Sequence, residues 1–125
     1  MSTSFTLAGQ LNYPPDSGQP AADRAFSITG SFDAKSVVEL VLTGSGTHVV
    51  NFGSIISPGA AAILIKHDAA SGGSPVQLRF NGSTDDIEVA SGGFIAYSSP
   101  VPAAGITALS IVHTANARVR IWILG

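Results

Sequence analysis

The strongest constraint on the fold is a pattern of alternating apolar residues that occurs twice in the chain. It fills residues 59–80, GAAAILIKHDAASGGSPVQLRF, and returns in residues 105–123, GITALSIVHTANARVRIWI. With a gap of three residues the copies align, and the matched positions are Ala62 with Ala108, Ile63 with Leu109, Ile65 with Ile111, His67 with His113, Val76 with Val119, Leu78 with Ile121 and Phe80 with Ile123. Successive side chains of a strand point to opposite faces, so each copy directs its matched apolar residues to one face. Each copy is therefore predicted to be a β-hairpin.

Turn signals divide the rest of the chain into further short strands. The 14 glycines and 7 prolines stand between short apolar runs rather than in low-complexity tracts. We predict a strand in residues 4–13 with a bend or bulge at Gly9, one in residues 24–32, and one in residues 37–42 that is partly covered on both sides. With the remaining runs this makes about nine or ten strands. The expected fold is all-β: a single domain over residues 1–125, an antiparallel two-sheet sandwich of jelly-roll type.

Residues 14–23, PPDSGQPAAD, form a proline-rich connection between the first two predicted strands. Proline removes backbone donors and favours extended or turn geometry. We expect either a plain surface loop or an arm that reaches a neighbouring molecule, with Tyr13, Pro14 and Pro15 as candidate interface residues.

Charged residues are scarce, at 11% of the chain against roughly 25% in an average soluble domain. A small β-domain of this kind exposes neutral, partly apolar surface, which favours association. The net charge of -2 and the lack of a basic run argue against nucleic-acid or anionic-membrane binding. No apolar run is long enough for a membrane helix, and we see no signal peptide. The absence of cysteine excludes disulfides and thiolate metal sites.

The final predicted strand, RVRIWILG, has two unlike faces. The repeat places its β-branched residues on the core side. The residues of the other face are Arg118, Arg120, Trp122 and Leu124. Trp and Arg are enriched at interface hot spots, so this face is a candidate contact surface. The alternative is a central strand that the chain itself covers on both faces.

Three histidines, His48, His67 and His113, together with Asp68, are candidate ligands for a metal centre of cupin type. They lack the spacing of a known ligand motif. Because His67 and His113 occupy matched repeat positions, we interpret them as structural and expect no metal and no cofactor. We also find no nucleophile elbow, phosphate loop or zinc-protease motif, so we expect no enzyme.

An acidic cluster follows the turn at Asn81 and Gly82. A solvated turn is the simpler interpretation, because Asn, Asp and Gly suit turn geometry. The alternative is a sugar-binding site, in which Trp122 or Tyr97 would stack on the ring. Its candidate contact residues are Asn81, Asp85, Asp86 and Tyr97.

Three segments resemble a known group of proteins: SGTHVVNFGSIISPGAAAILIKHDA, PVQLRFNGSTDDIEVASGGFIAYSS and GITALSIVHTANARVRIWILG. They are similar to the small all-β proteins encoded among the structural genes of tailed bacteriophages, over residues 44–125. The resemblance implies a virion component that acts by contact: a capsid decoration (cement) protein, a head-fibre base, or an accessory tail or baseplate subunit. No catalytic residues are implied.

We therefore expect a non-enzymatic viral structural protein, in the first place an oligomeric capsid decoration protein that stabilises the particle by surface burial. Its expected partners are itself, as a homo-oligomer such as a trimer, and other virion proteins such as the major capsid or tail proteins. Its expected location is the virion, after assembly in the host cytoplasm. The alternative is a tail- or fibre-associated module that binds a receptor or glycan.

Overall fold

The computed structural model describes residues 3–10, 25–55, 59–70, 73–82, 86–98 and 106–125. Within these ranges the regular structure is β-sheet, and every strand pairing is antiparallel. The strands are β1 (Thr3–Gln10), β2 (Ala25–Phe32), β3 (Lys35–Leu42), β4 (Gly46–Val49), β5 (Ala62–Ala70), β6 (Val76–Phe80), β7 (Ile87–Val89), β8 (Phe94–Ser98), β9 (Leu109–His113) and β10 (Ala117–Leu124). No helix in these ranges has the length and apolar character needed to cross a membrane.

Eight of these strands form two four-stranded sheets. The first sheet has the order β3-β10-β5-β8 and the second has the order β4-β9-β6-β7. Their facing sides meet in one hydrophobic core, whose most deeply buried members are Ile63, Ile65, Val76, Leu78, Leu109, Ile111, Val119, Ile121 and Ile123. The prediction of an all-β antiparallel sandwich is confirmed. The prediction that the matched apolar residues of the repeat face the interior is confirmed for most of them. The exceptions are Ala62, whose cross-strand partner Leu124 lies on the outward side of the first sheet, and Ala108, which is exposed.

The prediction of two hairpins is wrong. β5 lies in the first sheet and β6 in the second, and β9 and β10 are divided in the same way. Instead the copies pair with each other, β5 with β10 and β6 with β9. The pair Ile65–Ile121 of the first sheet corresponds through the repeat to the pair Ile111–Leu78 of the second. The apolar faces of each copy therefore meet across the core from opposite sheets, which a hairpin within one sheet would not allow.

β1 and β2 form a separate two-stranded ribbon, which lies over the outward side of the first sheet. The predicted bulge at Gly9 is wrong, because the β1–β2 register runs unbroken through this residue. A Cβ at Gly9 would lie 2.7 Å from the ring of Phe26, and one at Gly30 would lie 2.7 Å from the ring of Phe5. At each glycine, an aromatic ring of the opposite strand therefore occupies the space that a side chain would otherwise need.

The prediction that residues 37–42 are covered on both sides is also wrong. Within the described ranges β3 pairs only with β10, so it is an edge strand. Its outward valines, Val37 and Val41, are 63% and 69% exposed. Their β-branched side chains favour a strand whether or not the strand is covered, so residue type alone did not reveal the exposure.

Candidate contact surface

The structure brings the four predicted residues of the last strand onto one surface. Arg118, Arg120, Trp122 and Leu124 alternate along β10 with fully buried core residues and lie on the outward side of the first sheet. β10 is central in that sheet, between β3 and β5. We call this outward side of the first sheet the outer face.

The ribbon covers part of the outer face, including Trp122 and Leu124. Close to Phe5, which is 9% exposed, the space between ribbon and sheet is a cavity of about 140 Å³. Towards the other end of the ribbon it widens into an open groove of about 540 Å³. The groove is lined by Leu7, Ala8, Gly9, Gln10, Phe26, Leu64, Lys66, Phe94, Ala96 and Trp122. The ribbon therefore partly covers Trp122. This agrees with the alternative interpretation, in which β10 is a central strand that the chain itself covers on both faces.

An ion-pair network fixes the arginine next to Trp122. Arg120 donates from Nε to Oδ2 of Asp68 at 2.7 Å and from Nη2 to Oδ1 at 2.9 Å. Lys66 Nζ lies 3.6 Å from the same carboxylate. The hydrogen bond from Arg120 lowers the pKa of Asp68, against a smaller opposing effect of desolvation. Held in this way, the Arg120 guanidinium stands 5.7 Å from the centre of the Trp122 ring, within the range of a cation–π interaction.

On the other side of β10 the edge strand β3 supplies residues that the sequence-based prediction missed. Val37 lies opposite Trp122, and Val41 lies opposite Arg118. Between them Glu39 is 3.9 Å from Arg118, with both side chains more than half exposed. A pair this exposed contributes little to stability. In the sequence these residues form the alternation Lys-x-Val-x-Glu-x-Val, which predicts that they share one face of a strand. The alternation does not indicate whether that face is covered or exposed.

Four of the predicted residues lie outside the described ranges. They are Tyr13, Pro14, Pro15 and Asp85.

The structure does not assemble the described members of the candidate glycan site into one surface. Asn81 has a positive φ of 53°, and its Oδ1 accepts from the backbone N–H of Thr107 at 2.8 Å. Asp86 accepts from Arg79 Nε at 2.5 Å, and this hydrogen bond lowers its pKa. Tyr97 lies in the other sheet, where it packs against the core. Asn81 and Asp86 therefore make hydrogen bonds within the chain that a sugar would have to replace.

Two of the three histidines, His67 and His113, make hydrogen bonds to backbone carbonyls. His67 is fully buried, with Nδ1 3.1 Å from the carbonyl oxygen of Val89. His113 places Nδ1 2.6 Å from the carbonyl oxygen of Gly44. A carbonyl only accepts, so each Nδ1 carries the proton of its bond. The described ranges contain no group of three acidic or imidazole side chains arranged to hold a metal.

No family model, curated protein or solved structure matches this chain.

Proposed function

We propose that this protein is a non-enzymatic structural subunit of a tailed-phage particle, a homo-oligomeric capsid decoration protein that acts by burying surface. The observation that carries the proposal is the pair of exposed valines on the outer face of the edge strand β3. The side chains of Val37 and Val41 are exposed to solvent on the edge strand β3. Val37 lies opposite Trp122, and Val41 lies opposite Arg118. An exposed edge strand offers unpaired backbone N–H and carbonyl groups with which another chain can pair. The low charge of the chain, 11%, favours association in the same way.

The strand order supports a further proposal, that the sandwich is a jelly roll. Counted from β3 to β10, the first strand pairs with the eighth, the second with the seventh, the third with the sixth and the fourth with the fifth. One long antiparallel ribbon that folds across itself into two sheets gives these four pairs. Jelly rolls occur in viral capsid proteins, lectins and cupins. The fold is therefore compatible with the proposed function but does not select it.

The size of the proposed contact can be judged against known interfaces. A stable interface buries about 1,200 to 2,000 Å² in total, which is more than two valines supply. The edge of β3 and the adjoining residues of β10, together with surface of a partner, would have to contribute. Charged residues lie among the exposed valines, with Glu39 between them and Arg118 opposite Val41, so such a contact would also have to accommodate charge.

The first test is location. An antibody against the protein should label intact tailed-phage particles from the lysate in which it is made, and the label should persist after the particles are purified. Labelling that is confined to soluble protein would contradict a decoration role.

The second test is the contact surface. We expect Val37→Asp combined with Val41→Asp to leave the fold intact, because both side chains are exposed, but to lower the solution mass measured by light scattering and to weaken particle binding. Val49→Asp is the matched control, since it changes an exposed valine on the edge strand β4 of the second sheet. If Val49→Asp lowers the solution mass and particle binding as much as the double substitution does, the outer face is not the interface.

A further inference from the structure

The free edge of β3 has a defined set of backbone donors and acceptors. Ala34 exchanges hydrogen bonds with Gly125 through both its N–H and its carbonyl, at 2.7 and 2.9 Å. Backbone groups alternate in direction along an antiparallel strand, so residues 36, 38 and 40 also point to β10. Lys35, Val37 and Glu39 therefore direct their N–H and carbonyl groups to the free edge. Their side chains also share the outer face.

We propose that β3 pairs antiparallel with β3 of a second copy of this chain, about a twofold axis at Val37. This places Val37 opposite Val37 of the second copy, and Lys35 opposite Glu39 of the second copy, twice. The two first sheets then form one continuous eight-stranded sheet, with both outer faces on the same side. The inference rests on the self-association in the proposed function and specifies its surface, its partner and its register.

Charge selects this register from those that the backbone allows. Bonded pairs must combine residues of the set 35, 37, 39 and 41. An axis at Lys35 places two lysines opposite each other, and an axis at Glu39 places two glutamates opposite each other, which is destabilising. An axis at residue 36 or 38 pairs Lys35 with a valine, an axis at residue 40 pairs Glu39 with Val41, and an axis at Val41 pairs that valine with its own copy. None of these joins Lys35 to Glu39. Only the axis at Val37 pairs both lysines with both glutamates.

The exposure of β3 fits this pairing. Lys35, Val37 and Glu39 are all exposed, so nothing within the described ranges covers their side chains. The pairing supplies about six backbone hydrogen bonds from three bonded pairs. The internal pair of Glu39 with Arg118 is long and solvated, so Glu39 can exchange it for Lys35 of the second copy. Such a contact, in which the same patch serves both copies, is the form that twofold dimers take.

Cross-linking tests the register directly, because the chain contains no cysteine. In the proposed pair the Cα atoms of the two Val37 residues lie about 5.5 Å apart, within the range that a disulfide spans. Val37→Cys should form a disulfide-linked dimer under mild oxidation. Val41→Cys is the matched control on the same strand and face. Its two copies would lie about 26 Å apart, eight residues of strand, and should not cross-link. Cross-linking of Val41→Cys that equals or exceeds that of Val37→Cys would overturn the proposal.

Charge exchange tests the pairing of Lys35 with Glu39. Each of Lys35→Glu and Glu39→Lys should weaken the dimer roughly 10-fold in analytical ultracentrifugation, and the double exchange should restore it. Rescue separates a contact between copies from damage to the pair of Glu39 with Arg118, which the double exchange does not repair. If the protein labels particles and oligomerises but Val37→Cys does not cross-link, this inference fails and the proposed function stands. If Val37→Cys cross-links but no particle is labelled, the inferred dimer stands and the proposed function fails.

Discussion

Phe5→Ala should release the ribbon from the sandwich without unfolding the sandwich. Phe5 is the best-buried residue of the ribbon, and its ring covers Gly30 and contacts the ring of Phe32 at a centroid distance of 6.4 Å. The ribbon makes no ladder hydrogen bonds to the sheets within the described ranges, so side chains hold it in place. A two-stranded ribbon alone is at best marginally stable in water.

The magnitude follows from the burial. Replacing a buried Phe by Ala costs about 3 kcal/mol at the lower end of the usual range, which suits a residue at the margin of the core. That energy changes the ratio of docked to released ribbon roughly 100-fold. The loss of global stability, in contrast, cannot exceed the free energy with which the ribbon docks, because a sandwich without a docked ribbon gains nothing more from Phe5.

Native-state hydrogen exchange separates the two effects. Amide protection in β1 and β2 should fall roughly 100-fold, while protection in β5 and β10 should stay close to that of the unchanged protein. The emission of Trp122, the chain's one tryptophan, should shift to longer wavelength as the ribbon exposes it. Ser4→Ala, on the exposed side of β1, is the control. Loss of protection in β10 equal to that in β1 would refute the reasoning, because the ribbon would then be part of one cooperative unit with the core.

Three further predictions concern polar contacts. The pKa of Asp68 is lowered in the folded protein, so the stability it contributes is present above its ordinary value of about 3.8 and is lost as the pH falls through the folded value. The melting temperature of Asp68→Asn should therefore depend less on pH below about 4 than that of the unchanged protein. Asn81→Ala should cost about 1 to 2 kcal/mol in denaturant unfolding because two backbone N–H groups lose their acceptor, whereas Asn81→Asp keeps that oxygen and should cost less. Zinc should not raise the melting temperature, because the described ranges contain no group of three histidine or acidic side chains placed to hold a metal; stoichiometric binding seen by calorimetry would contradict this interpretation.

The sequence predicted the fold class and the core well, because both depend on side-chain period. Ile63 and Ile65 in β5, like Ile121 and Ile123 in β10, stand two positions apart, and all four are buried. The two-residue alternation of side chains does not determine which strands pair with each other. The repeat predicts a hairpin turn after β5, although the loop there carries the chain from one sheet to the other.

The surface was harder to predict, because exposure depends on the neighbours of a strand and not on its own residues. The two faces of β10 were separated correctly, and Arg118, Arg120, Trp122 and Leu124 do share the outward side. No local signal indicated that the ribbon would cover Trp122, or that Val37 and Val41 would stand on an open edge. These are relations between segments distant in the chain, and a single sequence without an alignment carries little information on them.

The exchange of partners between the two repeat copies determines when the protein can fold during synthesis. The inner strand pair of the first sheet joins β5 to β10, and that of the second sheet joins β6 to β9. Neither sheet can acquire its central pair until residues 109–124 have left the ribosome. Until then β5 and β6 present apolar faces without their partners, a state that exposes nascent chains to aggregation and chaperone binding. A ribosome stalled before β9 would therefore hold a chain in which neither four-stranded sheet was complete.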